Sequence, residues 1–366
     1  MQIRFAHFAS ASAERGLADR VAGTGSALSR FWRLPIWVLE LFTGAKSFRD
    51  NPILGSRRLN SLGLHVWRLK AAHAVARRRR ASLARFVPES FREQFERNGF
   101  VVVPNAIPAE DFPRIQRRVL EGEFESRSQQ QGDTITRRVP LGAALRRRIP
   151  ELDCVIRRSP WRALLAYVAT TRSEPLFYVQ TVSSGVSQGP PDPQIELHSD
   201  TFHPSLKAWL FLTDVHESGQ PFTYVAGSHR LTEARIEWER EKSVEVLTSG
   251  DPLSQRGSFR IRPGELSRLG LPPPTRFCVP ANTLVIADTC GFHARAASRE
   301  PAVRVELWAY CRRNPFIPWT AGGILSWRPL ARRQAELLYP VLDWLDRCGI
   351  RKQHWRRAGR RRPGEA

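Results

Sequence analysis

The sequence predicts a mainly β chain with flanking helices, an α+β fold class, and three observations predict it. Short apolar and aromatic runs punctuated by Gly and Pro recur between residues 176 and 310, the pattern of strands in a closed or sandwiched core. Helical periodicity gathers ahead of them, in residues 64–86, 90–98, 107–121 and 161–169. At 366 residues the chain can bury a full core and carry an extension besides.

Residues 1–90 read as a basic, helical N-terminal extension. An apolar, aromatic stretch at 31–42 lies between Arg30 and Lys46, and a connector rich in Gly, Asn, Pro and Ser covers 50–61. Residues 64–86 put Leu64, Trp67, Ala71, Ala74, Val75 and Leu83 at helical spacing beside the block Arg77-Arg78-Arg79-Arg80. An Arg-rich face with Trp, Leu and Phe suits a helix lying in a membrane interface. A helix packed on the core with its basic face in water fits equally.

The core is expected over 91–320. A helix at 90–98 stops at Gly99, a strand follows at 100–103, and Pro108 lies near the start of the helix at 107–121. Arg137-Arg138 and residues 146–148 fall in a variable stretch before the helix at 161–169. Strands are expected at 176–182, 195–198, 206–212, 222–225, 277–279, 283–286 and 303–310. Residues 231–247 form a charged helical insertion, and 251–274, rich in Gly, Pro, Ser and Arg, a loop or lid over a site mouth. Residues 321–366 hold an amphipathic helix after Gln334 and a basic end, 351–362, expected to be disordered or surface-bound.

Lys and Arg number 57 against 35 Asp and Glu, a net charge of +22. That exceeds what solubility requires. It points to an anionic partner (a membrane surface, nucleic acid or a phosphorylated molecule) or to the solvated surface of an Arg-rich chain. Nucleic acid fits poorly, because the basic residues are not interleaved with an aromatic stacking platform. The five cysteines are scattered, with no C-x-x-C pair, so neither a zinc site nor a disulfide framework is expected, and a reducing cytoplasm is the simplest setting. No continuous apolar segment suggests a signal peptide. The longest apolar run, 34–42, is broken by Glu40 and falls short of the roughly 20 residues of a spanning helix. The expected location is cytoplasmic, with peripheral binding at the inner membrane as a candidate. The sequence is silent on oligomeric state.

The chemistry is carried by His198-Ser199-Asp200, answered downstream by His293 and then Arg304. Two imidazoles and a carboxylate are the ligand set of the non-haem iron(II) facial triad. In extended backbone, residues two apart point the same way, so His198 and Asp200 can grip one metal. Arg304, eleven residues past His293, supplies the fork that a dicarboxylate co-substrate would need. Cys290, three residues before His293, reads as strand packing.

Around these residues the chain reads HSDTFHPSLKAWLFLTDVHESGQPFTYVAGSHR from His198 and ANTLVIADTCGFHARAASREPAVRVELWAY from Ala281. Both stretches resemble the phytanoyl-CoA dioxygenase family of iron(II)/2-oxoglutarate oxygenases, as does the opening FERNGFVVVPNAIPAEDFPRIQRRV; the resemblance spans about 95–315. Ala226 stands where the family usually has Pro, and 183–193 lacks its Lys-Pro pattern. The resemblance implies a double-stranded β-helix (jelly-roll, cupin-like) core. It also implies iron(II) on His198, Asp200 and His293, 2-oxoglutarate on Arg304, and dioxygen at the remaining position. Gln180 and Thr213 are candidates to line the co-substrate pocket, and Arg299 is the next candidate cation after Arg304. His203 is a candidate to face substrate, while His216 is not expected in the site and His229 belongs to a structural turn.

The implied activity is hydroxylation of an unactivated C–H bond, and the carboxylate of Asp200 disfavours halogenation. Charge and the N-terminal segment make a small molecule or an anionic lipid, glycolipid or cell-envelope precursor the expected substrate class. The alternatives are a nucleic-acid-associated oxygenase or binder, and a catalytically silent membrane-associated scaffold. Against the first, Tyr310 stands where the nucleic-acid-repairing oxygenases resembled here carry a second Arg.

Overall fold

The computed structural model describes residues 27–158, 160–298, 300–321 and 328–365. Three helices open it: α1 (Ala27–Glu40), α2 (Arg57–Ser61) and α3 (Leu64–Ala84). Then come α4 (Glu89–Asn98), β1 (Phe100–Val103), α5 (Phe112–Leu120), β2 (Phe124–Gln131) and β3 (Thr134–Pro140). Helices α6 (Ala143–Arg148), α7 (Pro150–Arg157) and α8 (Trp161–Ala169) lead to β4 (Leu176–Ser184), β5 (Leu206–Phe211) and β6 (Phe222–Tyr224). The chain continues through α9 (Glu233–Glu245), α10 (Pro252–Gln255), α11 (Pro263–Arg268), β7 (Thr275–Arg276), β8 (Leu284–Asp288), β9 (His293–Arg295) and β10 (Ala302–Cys311). It ends in α12 (Arg328–Ala331), α13 (Gln334–Arg347) and β11 (Arg356–Arg361).

The strands form an eight-stranded sheet in the order β1-β8-β5-β10-β4-β3-β2-β11 and a three-stranded sheet in the order β7-β6-β9. Every neighbouring pair is antiparallel. Strand β10 shows how sequence sets the layers. Its odd-numbered residues Val305, Leu307, Ala309 and Cys311 join a core that includes Phe95, Ile115, Leu152 and Leu164 from the helices. Its even-numbered Trp308 and Tyr310 join another with Phe222, Tyr224 and Phe277 of the small-sheet region. The large sheet is therefore covered by helices on one face and by the small sheet on the other. Each fully buried Leu, Val or Phe contributes about 1.5–3 kcal/mol to that sandwich. This is the mainly β, helix-flanked jelly-roll core the sequence predicts.

Several elements differ from expectation. Residues 124–140 form β2 and β3, because their inward positions, among them Gln129, Thr136 and Arg138, face a polar cavity instead of an apolar core. The stretch expected as a strand at 195–198 is a 3-10 turn, Pro193–Ile195, after which His198 makes single bridges to Arg260 and His293. Residues 277–279 lie beyond the two-residue strand β7, though the Phe277 amide still donates to the Phe222 carbonyl. The helix expected from 107 begins at Phe112. The loop at 251–274 holds α10 and α11. The basic C-terminal end forms an edge strand, β11, on β2.

The N-terminal segment is tied into this body from α1 onward. Arg68 donates to the carbonyls of Leu41, Thr43 and Ala45. Arg79 donates to the Ile317 carbonyl, and Arg80 lies over Phe95 and reaches Asp288 at 3.4 Å. Arg77 and Arg78 of the same block remain exposed. No described helix is long and apolar enough to cross a membrane. Residues 1–26 and Arg299 lie outside the described residues.

Candidate metal centre

Backbone pairing brings the three candidate ligands together. The amides and carbonyls of His198 and His293 bond reciprocally at 2.9 Å, and the Asp200 amide donates to Thr289 at 2.9 Å. The turn before His293 is itself held from several sides. Asp288 Oδ1 accepts the Ser205 and Cys290 amides, the Tyr224 hydroxyl donates to the Asp288 carbonyl, and Ser228 Oγ accepts the Phe292 amide. Gly291 is required there, since an added Cβ would run into the Tyr224 hydroxyl. Ser228 belongs to the segment Ala226-Gly227-Ser228-His229, so that landmark is a buttress. His229 packs on Phe95, away from the cavity, and His216 is exposed.

Among the described residues, His198, Asp200 and His293 are the one group of side chains spaced to hold a metal ion, each offering an atom within 4.8 Å of the others. Asp200 Oδ1 lies 3.8 Å from His198 Nε2 and 3.6 Å from His293 Nε2. The Nδ1 of His198 meets the Glu196 carbonyl at 2.7 Å, and that of His293 meets the Gly291 carbonyl at 3.0 Å. Those contacts need hydrogen on Nδ1, which leaves both Nε2 lone pairs turned to the carboxylate. Burial, then the charges of Arg260 and His293, holds His198 well below the ordinary imidazole range, so it is neutral. Burial pushes the Asp200 carboxyl up, but Lys207 and the two imidazoles outweigh this and hold it ionised, well below its usual range. Two oriented imidazoles and a carboxylate fit a divalent transition metal.

A cation already faces the ligands. Lys207 Nζ is 2.7 Å from Asp200 Oδ2 and 3.4 Å from His293 Nε2. Lys46, from the segment after α1, donates to the Asp200 carbonyl. Burial, with Arg312 beside it, brings the Lys46 ammonium down to about 7. The cavity containing the triad is lined by seven cations (Lys46, Arg138, Lys207, Arg260, Arg295, Arg304 and Arg312), whereas Asp200 is its one lining carboxylate among the described residues.

Arg304 and Gln180 line this cavity in one network. Arg304 Nε meets Glu306 at 2.8 Å and its Nη1 donates to the Gln220 carbonyl, leaving its other Nη hydrogens for a ligand. Gln180 donates to Glu306 at 2.6 Å and accepts from Arg138 at 2.7 Å, and Arg138 stacks on Trp308 and Trp355. Thr213 lies outside the lining, where its hydroxyl accepts the Val305 amide. His203 also lies behind the lining: its Nδ1 meets the Pro204 carbonyl and its Nε2 accepts from Arg312 Nε at 3.3 Å. Sequence reasoning missed Lys46, Arg138, Lys207, Arg260, Arg295 and Arg312. Lys207 carried a signal, a charge inside the otherwise apolar strand Leu206–Phe211. Lys46 carried none.

No protein-family model matches the chain, and no curated protein matches it either. Among solved structures it is similar to the non-haem α-ketoglutarate-dependent epimerase SnoN from nogalamycin biosynthesis. The identity is 22%, the TM-score 0.41, and the match covers 66% of this chain and 92% of SnoN. It is also similar to the α-ketoglutarate-dependent carbocyclase SnoK of the same biosynthesis (17%, TM-score 0.39, 61% and 83%). A third is HygX from Streptomyces hygroscopicus, solved with nickel and 2-oxoglutarate (16%, TM-score 0.36, 61% and 86%). These ligands and activities belong to those proteins; the functional reading of this chain rests on its own side chains.

Proposed function

We propose that this protein is an iron(II)- and 2-oxoglutarate-dependent oxygenase that hydroxylates an unactivated C–H bond of an anionic substrate. The observation that carries the reading is the pair of buried imidazoles whose Nδ1 contacts commit both Nε2 atoms to one point beside Asp200. When bound there, iron(II) with 2-oxoglutarate and dioxygen supplies an oxidant strong enough to remove hydrogen from an unactivated carbon. The chain's residues bind and orient. His198, Asp200 and His293 would hold the metal, and Arg304, fixed by Glu306, would take the far carboxylate of 2-oxoglutarate, with Gln180 holding Glu306 in place. The aromatic floor of Trp209, Phe222 and Trp308 excludes water around the reacting carbon. Anaerobic titration of the metal-free protein with iron(II) and 2-oxoglutarate tests the proposal. One equivalent of each should bind, and admitting oxygen should convert 2-oxoglutarate slowly to succinate even without substrate. Failure of 2-oxoglutarate to bind the iron-loaded protein would reject it.

We propose in addition that the N-terminal face rests on an anionic bilayer. Helix α1 exposes Trp32 (75%) and Leu39 (67%) with Phe42, and the outward side of α3 carries Trp67, Lys70, Arg77 and Arg78. Aromatic and aliphatic groups beside cations suit the headgroup boundary of such a surface.

A further inference from the structure

Strand β10 presents Arg304, Trp308, Tyr310 and, just past its end, Arg312 to the cavity. Eight residues at about 3.3 Å each put the two arginines' Cα atoms roughly 26 Å apart. Side chains reaching about 6 Å toward each other still leave roughly 14 Å between the guanidinium groups. A five-carbon dicarboxylate spans only about 5–6 Å, so one such molecule cannot engage both.

The metal ligands belong to the Arg312 end. Lys207 is the cross-strand partner of Tyr310 and touches Asp200, and Lys46 bonds the Asp200 backbone. Arg260 bridges to His198 through its backbone and lines the same cavity. The charges gathered here are poorly matched. Among the described residues neither Lys46 nor Arg312 has a carboxylate within ion-pair distance; Lys46 meets a carbonyl, and Arg312 meets a neutral His203 nitrogen and the Tyr310 hydroxyl. Arg312 Nη2 is buried with no hydrogen-bond partner at all. Among the described residues Arg260 has one carboxylate within ion-pair distance, Glu196 at 3.5 Å, whose side chain is 66% exposed; Asp251 lies farther off, and the guanidinium also donates to Ser258 Oγ at 3.0 Å. An unpaired buried guanidinium edge is costly unless an anion completes it.

We infer that Lys46, Arg260 and Arg312 form a second anion subsite, on the side of the metal centre away from Arg304, which takes a phosphate-class dianionic group of the substrate. Three convergent cations favour a dianion over a single carboxylate. His203 is a positioning residue here, holding Arg312 by its Nε. The inference deepens the oxygenase reading and rests on it only for what happens next to the subsite: the carbon presented for oxidation lies close to the phosphorylated end of the substrate.

The test uses the full-length protein loaded with redox-silent manganese(II) and saturated with 2-oxoglutarate, so that Arg304 is occupied. Inorganic phosphate is then titrated and followed by tryptophan fluorescence and calorimetry. Saturable binding is expected, weakened at least tenfold in Lys46→Gln and in Arg312→Gln. Lys46→Arg should restore most of it, and Arg97→Gln, on the exposed face of α4, should leave it unchanged. Affinity for 2-oxoglutarate should stay within about twofold in Lys46→Gln, because losing a contact it does not make costs it little. Three results would overturn the inference: no saturable phosphate binding by the wild type, equal weakening by Arg97→Gln, or parallel loss of 2-oxoglutarate in Lys46→Gln. Folding of each variant is checked by its melting transition, and the charge-retaining Lys46→Arg keeps the test decisive if a Gln variant unfolds. If manganese and 2-oxoglutarate fail to bind while phosphate binding still depends on Lys46 and Arg312, the subsite stands and the oxygenase reading falls.

Discussion

Lys207 faces the atoms that would hold a metal, and replacing it by Met, of similar length but without charge, should strengthen metal binding. The ammonium lies 2.7 Å from Asp200 Oδ2 and 3.4 Å from His293 Nε2, so an ion on those ligands would sit about 4 Å from it. At that distance two unit charges repel by about 1 kcal/mol in water and about 4 kcal/mol at an effective dielectric constant near 20; a divalent ion doubles both. The lysine stem can swing into the cavity, so the lower value, about 2 kcal/mol or roughly 30-fold, is the expected gain. Without metal the same substitution removes the ion partner of Asp200, and the metal-free protein should lose about 1–3 kcal/mol of stability. Calorimetry with manganese(II) and denaturant titration of the metal-free form measure the two effects, which have opposite signs. Unchanged or weaker manganese binding by a folded Lys207→Met protein would refute competition between the ammonium and the metal.

His198→Ala and His293→Ala should each abolish stoichiometric metal binding in elemental analysis while the chain stays folded. Arg80→Ala removes a cation stacked on Phe95 and paired with the buried Asp288, and should cost about 3–5 kcal/mol in urea unfolding; a surface-like change under 0.5 kcal/mol would show that α3 is not part of the fold. Glu239 is buried, and although burial opposes it, Arg235 and His65 hold its carboxyl down to about 2. A depressed carboxylate stabilises fully above its unfolded value near 4.5 and loses that contribution as pH falls through about 2, so Glu239→Gln should flatten the wild type's acid destabilisation, on the order of 3 kcal/mol, across this window. Replacing Trp32, Leu39 and Phe42 together by Ser should release the protein from anionic vesicles in sedimentation at moderate salt; a wild type that stays in the supernatant would end the membrane reading.

The legible parts of this chain are those where one side of an element is apolar. Alternation in β10 and the continuous apolar run of β8 announce themselves, and the spacing His198-x-Asp200 with a distant His293 picks out three side chains that the fold brings together. The cavity walls are illegible for the opposite reason. Strands β2 and β3 turn Gln129, Gln131, Thr136 and Arg138 inward, so the face they present to the cavity is polar and the period-two signal of an apolar face is weak. Strand β11 is nearly all Arg and Gly, held by pairing with β2 and not by burial. Lys46 reaches Asp200 across 154 residues of chain, a contact no local pattern encodes.

The basic excess has two physical populations, and they carry different weight. One consists of arginines absorbed by the fold: Arg68 on four backbone carbonyls, Arg235 on Glu239, Arg127 on Asp343 and over the Tyr339 ring. A planar guanidinium suits such places because it can be satisfied by carbonyls and ring faces and is weakly hydrated. These residues add to the count without inviting a ligand. The other population lines the cavity, where Lys46, Arg260 and Arg312 stand near the candidate metal ligands and Asp200 is the one lining carboxylate among the described residues. Cations of one sign on low-dielectric walls focus their field outward through the mouth and raise the local concentration of anions. Both the co-substrate and a phosphate-class substrate would be drawn in by that field. Their association rates should then fall together as salt rises, whereas the apolar contacts with Trp209 and Trp308 keep their strength.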